Sequence, residues 1–159
     1  AVRWWLLREV APLGDTDFTV DRLIRRADTD LAKGLGNLVN RTLTLVHRHR
    51  GGEVTGTPKD LVPDLPDRID RGLAAFDPRA ATGALTAAVD TANRYIEAER
   101  PWEHPDGRDD VLATLVHACR TIAGELSPFL PAGADRLRTQ LGSGRVVGHP
   151  QPAFPRLGG

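Results

Sequence analysis

Four residues of this chain carry side chains that can recognise an unpaired nucleic-acid base: Asn37, Arg41, Pro101 and Trp102. Asn37 and Arg41 are four positions apart, so on a helix they share one face, from which an amide and a guanidinium can read base edges. Trp102 directly follows Pro101, and a large aromatic side chain held at a helix-ending proline can stack on an unstacked base. Together, in a chain without a recognisable catalytic motif, these residues favour RNA recognition.

Each of these residues also has a purely structural interpretation. Asn37 and Arg41 can hydrogen-bond across an exposed helix face, or Arg41 can pair with a carboxylate. Trp102 can act as an apolar plug that closes the end of a helix hairpin. For such residues taken one at a time, the structural interpretation is the commoner one, so the functional prediction depends on their combination.

The charge of the chain limits how it would bind RNA. Lysine and arginine together number 21, as do aspartate and glutamate, so no net field attracts nucleic acid. Binding would need a local basic patch. Residues 21–50 offer one, because seven basic residues there face three acidic ones. The basic residues are Arg22, Arg25, Arg26, Lys33, Arg41, Arg48 and Arg50, and the acidic ones are Asp21, Asp28 and Asp30. Phosphates would favour this surface, although a solvated helix face has the same pattern.

The remaining candidates for chemistry give little support to a catalytic or metal site. No phosphate-binding glycine motif occurs. His47 and His49 are two residues apart and so face different sides of a helix, and His104, His117 and His149 are scattered along the chain. The single cysteine, Cys119, excludes an intrachain disulfide, and its place on an apolar stripe with Leu115 and Ile122 predicts a buried thiol. We therefore expect no catalytic site, metal or cofactor in this chain.

Helical spacing of apolar residues predicts the elements that hold the four site residues. One long helix is expected over residues 20–49, with Thr19 as N-cap and a stop at residues 51–52. It would carry Asn37 and Arg41. Gly34 and Gly36 lie inside it and cost helix stability, which indicates a close backbone approach to a neighbouring helix or to a ligand.

The other predicted helices follow the same spacing and end at proline or glycine. They cover residues 2–10, 67–76, 78–100, a segment from about 109, and 132–141, and Pro101 ends the helix that precedes Trp102. No segment alternates with period two, so the predicted fold is all-α: an antiparallel helix bundle of about five helices over residues 1–142. Residues 143–159 are predicted to form an extended C-terminal tail that packs on the bundle through Phe154 and Leu157.

Six segments, in order along the whole chain, resemble one protein family. They are residues 1–10 (AVRWWLLREV), 14–18, 32–41 (AKGLGNLVNR), 92–102 (ANRYIEAERPW), 126–131 (LSPFLP) and 148–156. They closely resemble the C-terminal anticodon-binding domain of bacterial methionyl-tRNA synthetases, which are class I aminoacyl-tRNA synthetases. The pairing of Asn-Leu-x-x-Arg at 37–41 with a later Pro-Trp is much more specific than either motif alone.

The resemblance implies a helix bundle that recognises the CAU anticodon of methionine tRNA. Asn37 and Arg41 would contact anticodon bases, Trp102 would stack on the first anticodon base, and Pro101 would shape the corner. Methionylation of tRNA would take place in an upstream catalytic domain, which would use ATP, with zinc as a further candidate cofactor. The implied partners are methionine tRNA, through its anticodon loop, and that catalytic domain in cis, with no DNA and no membrane, in the cytoplasm.

A second function remains open beside this one. Family members often follow the Pro-Trp pair with a lysine-containing helical segment, whereas residues 103–107 here form an acidic turn. The alternative is a synthetase-derived paralogue or interaction module that keeps the fold without anticodon specificity. The absence of methionine, together with a start inside an apolar helical pattern, predicts that the chain is a piece of a longer protein.

Overall fold

The computed structural model describes residues 1–11 and 13–158 as helices joined by loops. The α-helices are α1 (Val2–Glu9), α2 (Val20–Ala27), α3 (Asn37–Arg50), α4 (Leu65–Ala74), α5 (Pro78–Glu99), α6 (Asp109–Glu125) and α7 (Pro131–Leu141). A π-helix over Asp28–Gly36, here called the π segment, joins α2 to α3. Pro12, where a helix break is expected, and Gly159, the end of the predicted tail, lie outside the described residues.

The all-α prediction is confirmed. Over the described ranges there is no β-strand, only an isolated antiparallel bridge between Glu53 and Val146. If α2, the π segment and α3 are taken as one continuous helical rod, six rods are described, close to the predicted number. No described helix is both long and apolar enough to cross a lipid bilayer.

Local sequence signals explain where these helices begin and end. The Thr19 hydroxyl accepts a hydrogen bond from the Arg22 N–H (3.2 Å), so the predicted N-cap at Thr19 is confirmed. The Asp77 carboxylate accepts one from the Ala80 N–H (2.9 Å) and caps α5 in the same way. Gly51 ends α3 in the left-handed conformation, with a φ of 59°. α4 begins earlier than expected, at Leu65, because Pro66 lies in its first turn, where proline is tolerated.

The predicted long helix is continuous, but its middle is π-helical. In a π-helix each N–H is bonded to the carbonyl five residues earlier. A Cβ added to Gly34 would lie 2.9 Å from the Thr29 carbonyl oxygen, and one added to Gly36 would lie 3.0 Å from that of Leu31. The two glycines do allow a close backbone approach, as expected, but the group that approaches is neither a neighbouring helix nor a ligand. Each instead admits its own helix's carbonyl, five residues earlier.

The core lies between the rod and helices α5 and α6. Its fully buried members include Leu38, Leu43, Ile96, Leu115 and Ile122. Cys119 is buried with them, and burial raises the pKa of its thiol to about 12. The thiol is therefore protonated at neutral pH, which fits the predicted structural role and disfavours a nucleophilic one.

Candidate nucleic-acid interface

Asn37 and Arg41 lie on the outer face at the start of α3. Asn37 is the first residue of α3 and Arg41 follows one turn later, while Leu38 and Val39 between them face the core. Asn37 is exposed and Arg41 is half-buried. The helix therefore presents both side chains on its solvent side, as their spacing predicts.

Trp102 stands at a corner where α5 ends. Arg100 adopts a left-handed conformation (φ 43°), and the Glu103 N–H donates to the Arg100 carbonyl at 3.0 Å, which closes a tight turn. Pro101 is buried inside this turn, whereas Trp102 keeps 37% of its surface exposed. Pro101 therefore fills the position that the structural interpretation gives to Trp102, and the indole ring stays accessible.

The structure brings Arg41 and Trp102 into contact. The Arg41 guanidinium carbon lies 5.4 Å from the centre of the Trp102 ring, which is a cation–π distance. The same guanidinium pairs with the Glu97 carboxylate of α5 at 2.7 Å. The carboxylate pairing considered for Arg41 therefore exists, and it holds the guanidinium beside the indole. Asn37, Arg41 and Trp102 thus form one surface, with Pro101 beneath it.

The predicted basic surface of the rod is smaller than its sequence suggests. Four of its seven basic side chains form ion pairs: Arg22 and Arg26 with Glu9, Arg41 with Glu97, and Arg50 with Asp109. Arg25, Lys33 and Arg48 are exposed and have no carboxylate within ion-pair distance among the described residues. We call these three the basic stripe.

The π segment keeps Arg25 and Lys33, two residues of the basic stripe, in line with Asn37. Arg25, Thr29, Lys33 and Asn37 follow one another at intervals of four, and all four are exposed. In an α-helix of 3.6 residues per turn such positions drift around the axis. A π-helix has more than four residues per turn, so positions four apart shift round its axis in the opposite direction, and the shifts along α2 and the π segment partly cancel. Two cations therefore approach Asn37 along one side of the rod.

Two of the four acidic residues at positions 103–110 form ion pairs within the protein. Glu103 pairs with Arg100 at 2.9 Å, and Asp109 pairs with Arg50 at 2.7 Å. The Arg50 hydrogen bond holds the pKa of the Asp109 carboxyl below its usual value, so this carboxyl stays ionised. Arg50 also donates to the Pro105 carbonyl at 2.9 Å and so fixes the turn to the end of α3. Arg50, one of the seven basic residues predicted to bind phosphate, therefore instead stabilises the turn that follows Trp102.

A groove beside Asn37 was not predicted from the sequence. It measures about 330 Å³ and lies between the start of α3 and residues 152–156 of the chain. Asn37, Asn40 and Arg156 contribute its polar side chains. Asn40 could have been found from its helical spacing to Asn37, but no local signal links Arg156 to a helix more than a hundred residues earlier.

This chain is similar in sequence to methionine–tRNA ligases. The family model described as tRNA synthetases class I (M) matches residues 1–43. The methionine–tRNA ligase of Deinococcus radiodurans is 34% identical over an alignment of 168 positions, which covers 96% of this chain and 24% of that protein. This chain is a class I aminoacyl-tRNA synthetase domain. A second relative, the methionine–tRNA ligase of Clostridium acetobutylicum, is 30% identical to it over 88% of this chain and 24% of that protein.

The fold of this synthetase domain also matches a solved structure. The free methionyl-tRNA synthetase of Mycobacterium tuberculosis superimposes with a TM-score of 0.88 at 24% identity, covering 98% of this chain and 38% of that one. This domain spans about a quarter of the length of the two relatives above.

Proposed function

We propose that this domain binds the anticodon loop of methionine tRNA and reads its CAU sequence. It would serve a methionine–tRNA ligase in which ATP-dependent methionylation takes place outside this chain. The observation that carries the proposal is the contact between the Arg41 guanidinium and the accessible Trp102 ring, one helical turn from an exposed Asn37.

The three side chains supply complementary ways of holding a base. Trp102 offers an exposed aromatic face, and stacking of a base on such a face contributes roughly 1–3 kcal/mol. Arg41 can donate paired hydrogen bonds from a guanidinium that Glu97 already orients. Asn37 carries both a donor and an acceptor, which distinguishes base edges that a purely cationic site would bind alike.

The basic stripe would contact phosphates on the same side of the rod. Its cations have no competing carboxylate among the described residues, so a phosphate need not displace an existing partner. For single strands, each neutralised phosphate changes the slope of log affinity against log salt by about −0.7. Lys33→Ala should therefore weaken binding of every RNA sequence alike and lower the magnitude of the salt slope.

The direct test compares a hairpin carrying the CAU anticodon loop with an anticodon-swapped hairpin at stated salt. We expect the unmutated domain to prefer CAU. Trp102→Ala and Arg41→Ala should each weaken CAU binding by on the order of 1–3 kcal/mol. Phe76→Ala and Arg79→Ala are matched controls, because both residues are exposed and lie outside this surface. Equal affinity of the unmutated domain for both hairpins would contradict the proposal.

One observation favours a second candidate function, an interaction module that keeps the fold without anticodon specificity. Two carboxylates lie at the proposed RNA surface, Glu97 on Arg41 and Glu103 directly after Trp102. Both would repel a phosphate backbone unless their arginine partners remain bound. If this candidate is correct, the two hairpins bind equally and Trp102→Ala changes neither affinity.

A further inference from the structure

The groove beside Asn37 has polar side chains whose hydrogen-bonding capacity is unused. The side chains of Asn37, Asn40 and Arg156 make no hydrogen bond or ion pair with the described part of the chain. Two amides supply donors and acceptors, and the guanidinium supplies donors only. The remaining wall is largely apolar and includes Gly36, Pro152 and Phe154. Apolar walls with a few convergent polar groups are typical of a site for a flat, polar-edged ligand.

The tail wall of this groove is fixed on both sides of Arg156. On one side, Arg136 Nε donates to the Ala153 carbonyl at 3.0 Å. On the other, the buried Asp28 carboxylate accepts the N–H groups of Leu157 at 2.7 Å and Gly158 at 3.0 Å. The backbone of Arg156 is therefore held at the groove before any ligand arrives, so binding has to order only the exposed Arg156 side chain.

The groove is continuous with the Arg41–Trp102 surface. Asn37 belongs to both, and Arg41 lies four residues beyond it, about 6 Å along the helix axis. A single-stranded backbone can span this distance between neighbouring nucleotides. The π segment contributes Gly36 to the groove wall beside the Phe154 ring, which would lie at an ordinary contact distance of 3.6 Å from a Cβ added at Gly36.

We propose that this groove binds one unstacked RNA base, the neighbour of the base held at Trp102, and that Asn40 and Arg156 read its edge. The inference rests on the proposed function and extends it to the C-terminal tail. Arg156 would donate to acceptor atoms of the base, while the Asn40 amide would add a donor and an acceptor. If Arg156 contacted only the RNA phosphate backbone, its contribution to affinity would not depend on which base occupies the groove.

The test uses hairpins in which each anticodon-loop nucleotide in turn lacks its base. They are titrated against the unmutated chain and against Arg156→Ala, Asn40→Ala and Arg145→Ala. Arg145 is a matched control, since it is an exposed arginine of the same tail outside the groove. With the intact hairpin we expect Arg156→Ala and Asn40→Ala each to weaken binding roughly ten-fold, and Arg145→Ala to leave it unchanged. For one abasic hairpin, lacking the same base for both variants, Arg156→Ala and Asn40→Ala should bind as tightly as the unmutated chain does.

Two outcomes would overturn the proposal. If the Arg156→Ala loss persists with every abasic hairpin and lowers the magnitude of the salt slope, Arg156 contacts a phosphate and the groove binds no base. If neither variant weakens binding while Trp102→Ala still does, the groove is not part of the interface although the proposed function stands. Protection of the Leu157 and Gly158 amides from hydrogen exchange checks that the variants keep the tail in place.

Discussion

Two walls flank the outer face of α3, and they are held in different ways. The C-terminal tail is fixed by hydrogen bonds to Asp28 and Arg136, by a bond from the Gln151 N–H to Gln140 (2.9 Å), and by the packing of Phe154. The Trp102 ring, by contrast, meets α3 through its contact with Arg41 and remains partly exposed. One wall is therefore part of the folded core, whereas the other presents a surface.

The difference separates stability from recognition. A tail residue whose side chain packs on the bundle contributes to the free energy of unfolding, since its removal leaves unfilled space. A partly exposed aromatic ring contributes less to stability, because water still contacts part of it in the folded state. We therefore expect substitutions on the tail wall to change mainly stability and substitutions at Trp102 to change mainly affinity.

The largest effect on stability is expected for Phe154→Ala. The ring packs against Gly133, where an added Cβ would lie 2.7 Å from a ring carbon, and the Arg136 guanidinium lies 5.9 Å from its centre. Because the ring is half-buried, its loss should lower the free energy of unfolding by about 2 kcal/mol, less than for a fully buried phenylalanine. Urea denaturation measures it. The control Phe76→Ala removes a ring that is 90% exposed and should change stability by under about 0.5 kcal/mol.

At Trp102 the pattern should reverse. Trp102→Ala should weaken binding of the CAU hairpin by on the order of 1–3 kcal/mol, and it should lower the free energy of unfolding by only about 1 kcal/mol, because 37% of the Trp102 surface stays exposed in the folded protein. Trp102→Phe keeps an aromatic face and should recover much of the affinity. A loss of stability as large as that of Phe154→Ala would show that both walls belong to the core, and the contrast would fail.

The sequence predicts the two walls unequally. Helical spacing and capping signals locate α3, α5 and the corner at Pro101, because each depends on residues close together in the chain. The π segment is not predicted, since two glycines inside a helix indicate a close approach without identifying the partner. Its partner is the carbonyl five residues earlier, which only the backbone geometry reveals.

The candidate site shows the same division. The spacing of Asn37 and Arg41 is local, so their common face follows from the sequence. The contact of Arg41 with Trp102, the pairing of Arg41 with Glu97 and the position of Arg156 join distant parts of the chain. Charge counting along the rod overestimates the basic surface for the same reason, since Glu9, Glu97 and Asp109 come from elements outside residues 21–50.

A smaller effect of opposite sign is expected for Glu97→Gln. The Arg41–Glu97 pair is largely exposed, with 57% of the Glu97 side chain accessible, so its loss should cost the fold less than about 1 kcal/mol. The substitution releases Arg41 and removes a negative charge beside Trp102, so RNA binding should tighten about two- to three-fold. Asp70→Asn, at an exposed acidic residue of α4 outside the proposed surface, is the control for charge alone. Weaker RNA binding by Glu97→Gln would contradict this prediction and would mean that the orientation of Arg41 by Glu97 contributes more to binding than the repulsion between Glu97 and phosphates costs.

The smallest effect is a local loosening of the tail wall by acid. Hydrogen bonds from the Leu157 and Gly158 N–H groups hold the pKa of the Asp28 carboxyl below its usual value. The pKa of Asp28 is lower in the folded than in the unfolded state. The stabilisation from its two hydrogen bonds is therefore complete above about pH 4 and is lost as the pH falls through the folded-state pKa. Hydrogen exchange should therefore show the protection of both amides falling in acid. The Val147 N–H, which donates to the Gly52 carbonyl at 3.0 Å, should keep its protection over the same range.

In Asp28→Asn the Leu157 and Gly158 amides should be less protected already at neutral pH, and their protection should no longer fall in acid. If the fall in acid were unchanged in this variant, another carboxyl would control the tail.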